Sequence, residues 1–234
     1  PGPTPVSGAI EADATWYSGA SPYILESNVT VKDKALLTIE PGTEIQSKGG
    51  GLVIEGRISA RGDNDRIIRF DSAQDGQFWP GITFASVKDR ENHLAFVRVQ
   101  NARTAVFCQA SSPTIEQSEF TKNHEAIKIQ GVFSKPLVSR NTLYKNKGAA
   151  ISVSDGAAPR IVGNTINDND HTGVVLHSAA AEITQNTITR NKNNGIAVKG
   201  AEAVIFQNNL VDNQPYNVFG EMKGEPAKAL NNWW

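Results

Sequence analysis

Short runs of alternating apolar and polar residues recur along the chain at a nearly constant interval. The segment NTITRNKNNGIAV (186–198) repeats, in residue type, the segment NTINDNDHTGVVL (164–176), and looser copies begin at residues 118, 141 and 208. The apolar residues alternate with polar ones within short stretches, which is the two-residue period of a β-strand and not the period of a helix. The chain is therefore predicted to be a repeat of short strands with a period of about 22 residues.

Such a unit is too small to bury its apolar side chains alone, but stacked copies can enclose a shared interior. If each strand pairs with its counterpart in the next copy, the chain forms a parallel β-helix whose coils rise by the ~4.8 Å spacing between strands. We therefore predict an all-β solenoid of about eight or nine coils. One predicted column of core positions is Leu94, Ile115, Leu137, Ile161, Ile183 and Ile205, and a second is Val106, Ile127, Ile151, Val174, Ile196 and Val218.

An asparagine opens each of the best copies, at a position between two predicted strands. Asparagine tolerates a bent backbone, and its amide can hydrogen-bond to the coils above and below. We therefore predict a structural ladder at this corner and not a set of ligands. The predicted ladder is Asn141, Asn164, Asn186 and Asn208, and Asn146, Asn169, Asn191 and Asn213 are predicted to occupy a second corner of the same kind.

The repeat divides the chain into four predicted segments. Residues 1–8, PGPTPVSG, are rich in proline and glycine and are predicted to be a linker. Residues 9–28 are predicted to cap the first coil, and residues 29–220 to form the β-helix. Residues 221–234 are predicted to be a second cap or the start of a further coil, because the exposed end of a sheet needs covering.

Charge and composition exclude several function classes. Lys and Arg total 23 against 24 Asp and Glu, so the net charge is −1, and no basic stripe of the kind that binds nucleic acid is present. No apolar run approaches the ~18 residues of a membrane-spanning helix. The single cysteine, Cys108, falls at an inward strand position and is predicted to be a core residue. The opening segment favours an extracytoplasmic location, in the periplasm, at the cell surface or secreted.

Several segments resemble the right-handed parallel β-helix proteins of the pectin-lyase-like superfamily. The segments LTIEPGTEI (37–45), LVIEGRISARG (52–62) and WPGITF (79–84) look like the opening coils of bacterial surface and secreted members. Residues 112–219 look like the repeats of the carbohydrate-binding and sugar-hydrolase subgroup, and also resemble a periplasmic β-helix protein that assists copper-site assembly in nitrous oxide reductase. The resemblance implies a right-handed solenoid over nearly the whole chain. It does not specify a function, because these motifs are the scaffold itself.

The resemblance also implies where chemistry would lie, namely on the outer face of the strand that contains AIKI, AISV, VVLH and IAVK. Its outward residues are predicted to be Lys128, Ser152, Val175 and Ala197, none of which is a carboxylate. Hydrolysis of a glycosidic bond generally needs two facing carboxyl groups, and the Asp pairs and Gly-His-Gly signature of polygalacturonase-like members are absent. No catalytic residue, metal site or cofactor is predicted, and the chain is expected to be noncatalytic.

Charged residues in the turn before that strand are the best candidates for binding. Alignment of the copies places potential cations in a row ~4.8 Å apart, which suits an extended polyanion such as an acidic polysaccharide. The candidates are His124, Lys147, His171 and Lys192 in the row, with Asp170 beside it and Tyr144 nearby. Because histidine ordinarily titrates near pH ~6.5, such binding is expected to strengthen as the pH falls. A solvated row of surface charges is the alternative interpretation.

Three functions stay open at the level of sequence. The first is a noncatalytic envelope module that binds or displays, with a polysaccharide or an envelope protein as partner. The second is a polysaccharide-active enzyme, lyase or hydrolase, or the remnant of one. The third is a periplasmic accessory in metal-site assembly; a copper site would use Met and Cys ligands, and the chain has one of each, Cys108 and Met222.

Overall fold

Short parallel strands wound around one core make up nearly all of the fold. The computed structural model describes residues 2–85, 91–221 and 228–234. In these ranges every strand ladder is parallel, and each strand away from the two ends pairs with its equivalents in the coils before and after it. The strands form three faces, called here face 1, face 2 and face 3 in the order in which each coil visits them. This arrangement is the predicted parallel β-helix.

Face 1 consists of β2 (Ala14–Trp16), β4 (Leu36–Ile39), β7 (Arg57–Arg61), β10 (His93–Ala95), β13 (Thr114–Glu116), β16 (Leu137–Ser139), β19 (Arg160–Val162), β22 (Ala180–Thr184), β25 (Glu202–Phe206) and β28 (Lys228–Leu230). Face 2 consists of β5 (Glu44–Ser47), β8 (Ile68–Ser72), β11 (Val97–Gln100), β14 (Glu119–Thr121), β17 (Thr142–Tyr144), β20 (Thr165–Asn167), β23 (Thr187–Thr189) and β26 (Asn209–Val211). Face 3 consists of β6 (Leu52–Ile54), β9 (Ile82–Phe84), β12 (Thr104–Gln109), β15 (Glu125–Gln130), β18 (Ile151–Ser154), β21 (Val174–His177), β24 (Ile196–Lys199) and β27 (Val218–Glu221). Two longer strands, β1 (Thr4–Ile10) and β3 (Tyr23–Val31), bend across faces 2 and 3.

The core lies inside the three faces, where alternate side chains of each strand point inward. The predicted column on face 3 is confirmed, since Val106, Ile127, Ile151, Val174, Ile196 and Val218 pair in that order. On face 1 the prediction is wrong at one position: Val138, and not Leu137, pairs with Ile115 and Ile161. The turn before β16 is one residue longer than the spacing assumed. Cys108 is completely buried between Phe84 and Ile129.

The solenoid has about ten coils, more than the eight or nine expected, because it begins earlier in the chain. Strand β1 pairs with β3 from Thr4 to Ile10, so residues 4–8 of the predicted linker are strand. Residues 228–234 also continue the solenoid, since β28 pairs with β25 and Trp233 forms a bridge with Asn209. Residues 222–227 lie outside the described ranges. The described residues contain one short 3-10 turn, Ser18–Ala20, and no helix long and apolar enough to cross a membrane.

Buried asparagines line two corners of the solenoid, each following a residue with positive φ or a glycine. Between face 1 and face 2, the Oδ1 atom of Asn164 accepts the backbone N–H of Asn141 at 2.9 Å, and the same contact links Asn164 to Asn186 and Asn186 to Asn208. Between face 2 and face 3, an equivalent ladder joins Asn123, Asn146, Asn169, Asn191 and Asn213. The amides thus satisfy backbone groups that a tight corner removes from the sheet.

Candidate functional site

One row of side chains projects from the corner between face 2 and face 3, directly after the second asparagine ladder. The backbone N–H of Lys147 bonds to the carbonyl of Asn123 at 2.8 Å, and that of Asp170 bonds to the carbonyl of Asn146 at 2.8 Å. The same pattern continues through the neighbouring coils. The row, called here the corner row, is Arg103, His124, Lys147, Asp170 and Lys192, all exposed.

The predicted place of His171 in this row is wrong, because Asp170 stands between Lys147 and Lys192. His171 lies one position further along the turn, where its Nε2 atom is 3.4 Å from Nδ2 of Asn193. The turns differ in length: three residues separate Asn123 from Ile127, whereas four separate Asn169 from Val174. Aligning the copies on the face 3 strand therefore matches His171 to His124, whereas aligning them on the asparagine ladder matches Asp170 to His124. The backbone hydrogen bonds from Lys147 and Asp170 to the ladder asparagines show that the second alignment is the one in the structure.

The two halves of the corner row differ in charge. In the later half, Nζ of Lys192 lies 2.6 Å from Oδ1 of Asp170, so the two charges compensate. In the earlier half, Nζ of Lys147 lies 4.9 Å from the centroid of the Phe78 ring, which also meets the His124 ring edge-on at 6.1 Å. Together with Arg103, these side chains form a basic and aromatic surface, called here the basic end of the corner row.

Tyr144 lies on face 2, at the end of β17. The Tyr144 side chain points toward the preceding coil, where the tyrosine hydroxyl donates a hydrogen bond to Oε1 of Glu119 at 2.6 Å. That hydrogen bond, together with partial burial, raises the pKa of Tyr144. Glu119 in turn pairs with Arg98, whose Nη2 is 2.6 Å from Oε2. Tyr144 therefore belongs to a separate polar surface.

The outer side of face 3 carries the row that the resemblance points to. The outward residues Phe107, Lys128, Ser152, Val175 and Ala197 stand in register. Nζ of Lys128 lies 5.1 Å from the Phe107 ring centroid. Two carboxylates beside this row were missed in the sequence. Oε1 of Glu125, which begins β15, accepts a hydrogen bond from Ser152, and Oδ2 of Asp155, which follows β18, accepts one from Nε2 of Gln130 at 2.6 Å.

The described residues offer little to a metal ion. No group of three or more His, Cys, Asp or Glu side chains gathers in these ranges as a metal site would. Burial raises the pKa of the Cys108 thiol, so this residue is not a surface thiolate. Met222, the other residue of the copper hypothesis, lies outside the described residues.

Face 2 holds two adjoining depressions that the sequence analysis did not identify. The larger, about 710 Å³, lies between the loop 62–67 and Tyr144, and the smaller, about 230 Å³, lies over β5 and β8. Arg98 lines both. Two sequence signals point here: the long turn RGDNDR, and the opposite charges of Arg98 and Glu119 at equivalent outward positions.

Comparison with known proteins agrees with this architecture. The described structure is similar to three structures of the periplasmic alginate epimerase AlgG, two of them of mutants, with TM-scores of 0.55, 0.57 and 0.53 and 13% identity in each case. The alignments cover 95%, 95% and 92% of this chain. The chain spans 65% of the length of the two mutant structures and 73% of the third. At this identity the similarity shows the fold alone.

Sequence comparison gives the family. No curated protein matches the chain. The family model described as a right handed beta helix region matches residues 81–232, and this match confirms the resemblance drawn from the repeats. The chain therefore belongs to the family of right-handed β-helix proteins.

Proposed function

We propose that this chain is a noncatalytic β-helix module that binds an acidic polysaccharide along the basic end of the corner row, outside the cytoplasm. The observation that carries the proposal is the register of Arg103, His124 and Lys147, which occupy one position in three successive coils. Successive coils are ~4.8 Å apart, so the three side chains form a short line parallel to the solenoid axis. An extended polymer with a carboxylate on each sugar can meet such a line repeatedly.

The aromatic ring at this end suits a sugar as well as a charge. Phe78 is half-buried beneath Lys147 and His124, so it restricts both side chains and leaves part of its ring at the surface. Apolar C–H groups of a sugar ring pack on such surfaces, while the cations meet the carboxylates. The ion pair of Asp170 with Lys192 adds no net positive charge, so the basic surface ends there on the later side.

The similarity to AlgG supports the choice of polymer and of location. AlgG is described as a periplasmic alginate epimerase, and alginate is a chain of uronic acids, each with one carboxylate. A shared solenoid scaffold can retain a groove for such a chain without retaining catalysis. The noncatalytic assignment rests on the outer side of face 3. The carboxylates of Glu125, beside Ser152, and Asp155, beside Gln130, stand at opposite ends of β15 and do not face each other, as glycosidic hydrolysis generally requires.

Isothermal titration calorimetry with uronate oligomers tests the proposal. We expect weak binding that declines as salt rises from about 0.05 M to about 0.5 M, because the Debye length shortens. The double variant Arg103→Ala/Lys147→Ala is expected to bind about five- to tenfold more weakly, the loss of two exposed ionic contacts. Lys135→Ala, an exposed lysine in the turn before β16, is the matched control and is expected to bind like the wild type.

Two results would overturn the proposal. Binding that ignores both the double variant and the salt would place the site elsewhere on the solenoid. A change in the uronate configuration, or a new double bond, detected by proton NMR after prolonged incubation, would identify the chain as an enzyme on the same polymer.

A further inference from the structure

The larger depression on face 2 is a cleft with a wall on one side. The loop 62–67 forms this wall and is fixed by Asp63, whose carboxylate accepts the Arg66 backbone N–H at 2.7 Å and its Nη2 at 2.8 Å. Asn64 and Ile67 of the same loop line the cleft, and Tyr144 closes the opposite side. Its volume, about 710 Å³, lies within the ~300–1,000 Å³ of small-ligand sites.

The cationic side chains of the cleft are already paired with carboxylates. Arg98 is bound to Glu119 at 2.6 Å, and Nη2 of Arg140 lies 2.9 Å from Oε2 of Glu116. Glu119 also accepts the Tyr144 hydroxyl. The floor is therefore nearly neutral, but it keeps free guanidinium N–H donors and carboxylate lone pairs in fixed directions. These donors and acceptors can hydrogen-bond to the hydroxyl groups of an uncharged ligand, whereas the Glu119 carboxylate would repel an anionic ligand.

Apolar groups stand beside these polar ones. Phe96, Ile67 and the Tyr144 ring are half-buried and line the same cleft. Phe96 has a positive φ of 50°, which is unfavourable for a bulky residue and is maintained only by its surroundings. The backbone thus holds an aromatic ring at the edge of the cleft, where it can cover the C–H face of a sugar ring.

We propose that this cleft is a second carbohydrate site, which takes an uncharged oligosaccharide of a few sugar units. Arg98 and Glu119 hydrogen-bond to its hydroxyl groups, and Phe96 and Tyr144 contact its apolar faces. The smaller depression shares Arg98 and adds Gln46, Asp71 and Gln100, and Nε2 of Gln100 is held 2.6 Å from Oδ2 of Asp71. A ligand that extends along the solenoid axis can therefore occupy both depressions. This site lies on face 2, whereas the acidic-polymer surface lies at the corner between face 2 and face 3, and the residues that line the cleft do not include Arg103, His124 or Lys147.

A pair of matched substitutions tests the location. Thr142 is exposed, lines the cleft and pairs with Thr165, which occupies the same outward position one coil later, beyond the residues that line the cleft. Tryptophan is well tolerated on outward strand positions, so Thr142→Trp fills the cleft while Thr165→Trp adds the same group beside it. Circular dichroism and melting temperature establish that both variants are folded.

The measurement is calorimetric titration with the β-linked trimers of glucose, mannose and xylose, in about 0.5 M salt to suppress ionic binding. At least one trimer is expected to bind to the wild type. Thr142→Trp is expected to weaken its binding about tenfold or more, because the added ring fills the space that the ligand occupies. Thr165→Trp is expected to weaken it by less than about twofold. Tyr144→Phe is expected to bind the trimer more weakly than the wild type, and Lys147→Ala is expected to bind it as tightly as the wild type.

Absence of binding by all three trimers overturns the proposal, and so does an equal loss of affinity in both tryptophan variants. If Thr142→Trp instead abolishes salt-sensitive uronate binding, the cleft belongs to the acidic polymer.

Discussion

A ladder asparagine acts as donor and acceptor at once, which is why a polar residue can occupy the core of this solenoid. The Oδ1 atom of Asn186 accepts both the backbone N–H and the Nδ2 of Asn164, at 2.8 and 2.9 Å. Its own Nδ2 donates to the carbonyl of Ile161 at 2.8 Å. Because Asn186 is 1% exposed, water cannot replace these partners, and an unpaired buried group is costly.

Substitution of Asn186 by alanine is therefore expected to lower the free energy of unfolding by about 1–3 kcal/mol, since the buried N–H of Asn164 loses its acceptor. The control is Asn232→Ala, which removes an equivalent acceptor for Asn208 at a partly exposed position and should cost less. Urea denaturation of both variants measures the difference. Equal losses of unfolding free energy in the two variants would show that burial of the asparagine does not determine the cost of removing the acceptor.

A bidentate ion pair between residues that directly follow β20 and β23 predicts a pH dependence. The hydrogen bonds from Arg190, at 2.8 Å to each carboxylate oxygen, hold the pKa of Asp168 below its ordinary value. A depressed carboxyl pKa stabilises the fold fully above the unfolded value of ~3.9, and this contribution is lost as the pH falls through the folded value. The Asp168 side chain is 39% exposed, so solvent screening keeps the contribution small.

In the variant Arg190→Ala, the pKa of Asp168 is expected to rise toward its ordinary value. The stability difference from the wild type should be present at neutral pH and should disappear in strong acid. Carboxyl titration by NMR and thermal melts from neutral to acidic pH measure the two effects. Arg160→Ala, which breaks the pair with Glu182 on face 1, should leave the Asp168 titration unchanged; a shift there would imply long-range coupling.

The turns between strands fit closely against one another, and Gly81 before β9 is the clearest case. Its φ is +104°, and a Cβ atom there would lie 1.7 Å from the backbone oxygen of Thr104. The carbonyl cannot move away without disturbing the pairing of β9 with β12. At Gly76, φ is +72° but no atom lies within 4 Å of such a Cβ. A side chain at Gly76 would therefore add backbone strain alone, whereas a side chain at Gly81 would add both backbone strain and steric overlap.

We expect Gly81→Ala to destabilise the protein by more than ~3 kcal/mol or to prevent folding, because both effects apply. Gly76→Ala should cost only the ~1–2 kcal/mol of a left-handed residue. The measurement is the urea midpoint, with soluble yield as the readout if the first variant does not fold. Similar midpoints for the two variants would mean that the turn relaxes around the added methyl group.

The sequence predicts the elements of this fold better than the side chains at its surface. Strand alternation and the repeated asparagines locate the core and the ladders, because each depends on a local pattern that recurs in every coil. The corner row depends on turn length, which differs by one residue between the turns after Asn123 and Asn169, so alignment on the strand that follows matched His171 to His124 and passed over Asp170. The cleft depends on three separate coils and on the loop 62–67, and no local pattern joins these.

At the scale of the whole molecule, each coil contacts chiefly the coils on either side. About ten coils at ~4.8 Å spacing give a solenoid roughly 45 Å long, and strand pairing never joins distant coils in the described ranges. The stability of such a chain is approximately a sum of coil and neighbour contributions. Damage in one coil should therefore remain near it and not loosen the entire structure equally.

Ile166 in β20 offers a test, because it is completely buried between Leu143 and Ile188 in the adjacent coils. Alanine there removes ~2–5 kcal/mol of packing. Hydrogen exchange measured by mass spectrometry is expected to accelerate in peptides covering β17, β20 and β23, while β5 and β6 retain their protection, because sub-global opening follows local stability. Val175→Ala, a half-buried outward position of β21, is the control and should change exchange little. Uniform acceleration from β4 to β26 would instead mean that the coils unfold as one cooperative unit, so that neighbour contacts outweigh the stability of any single coil.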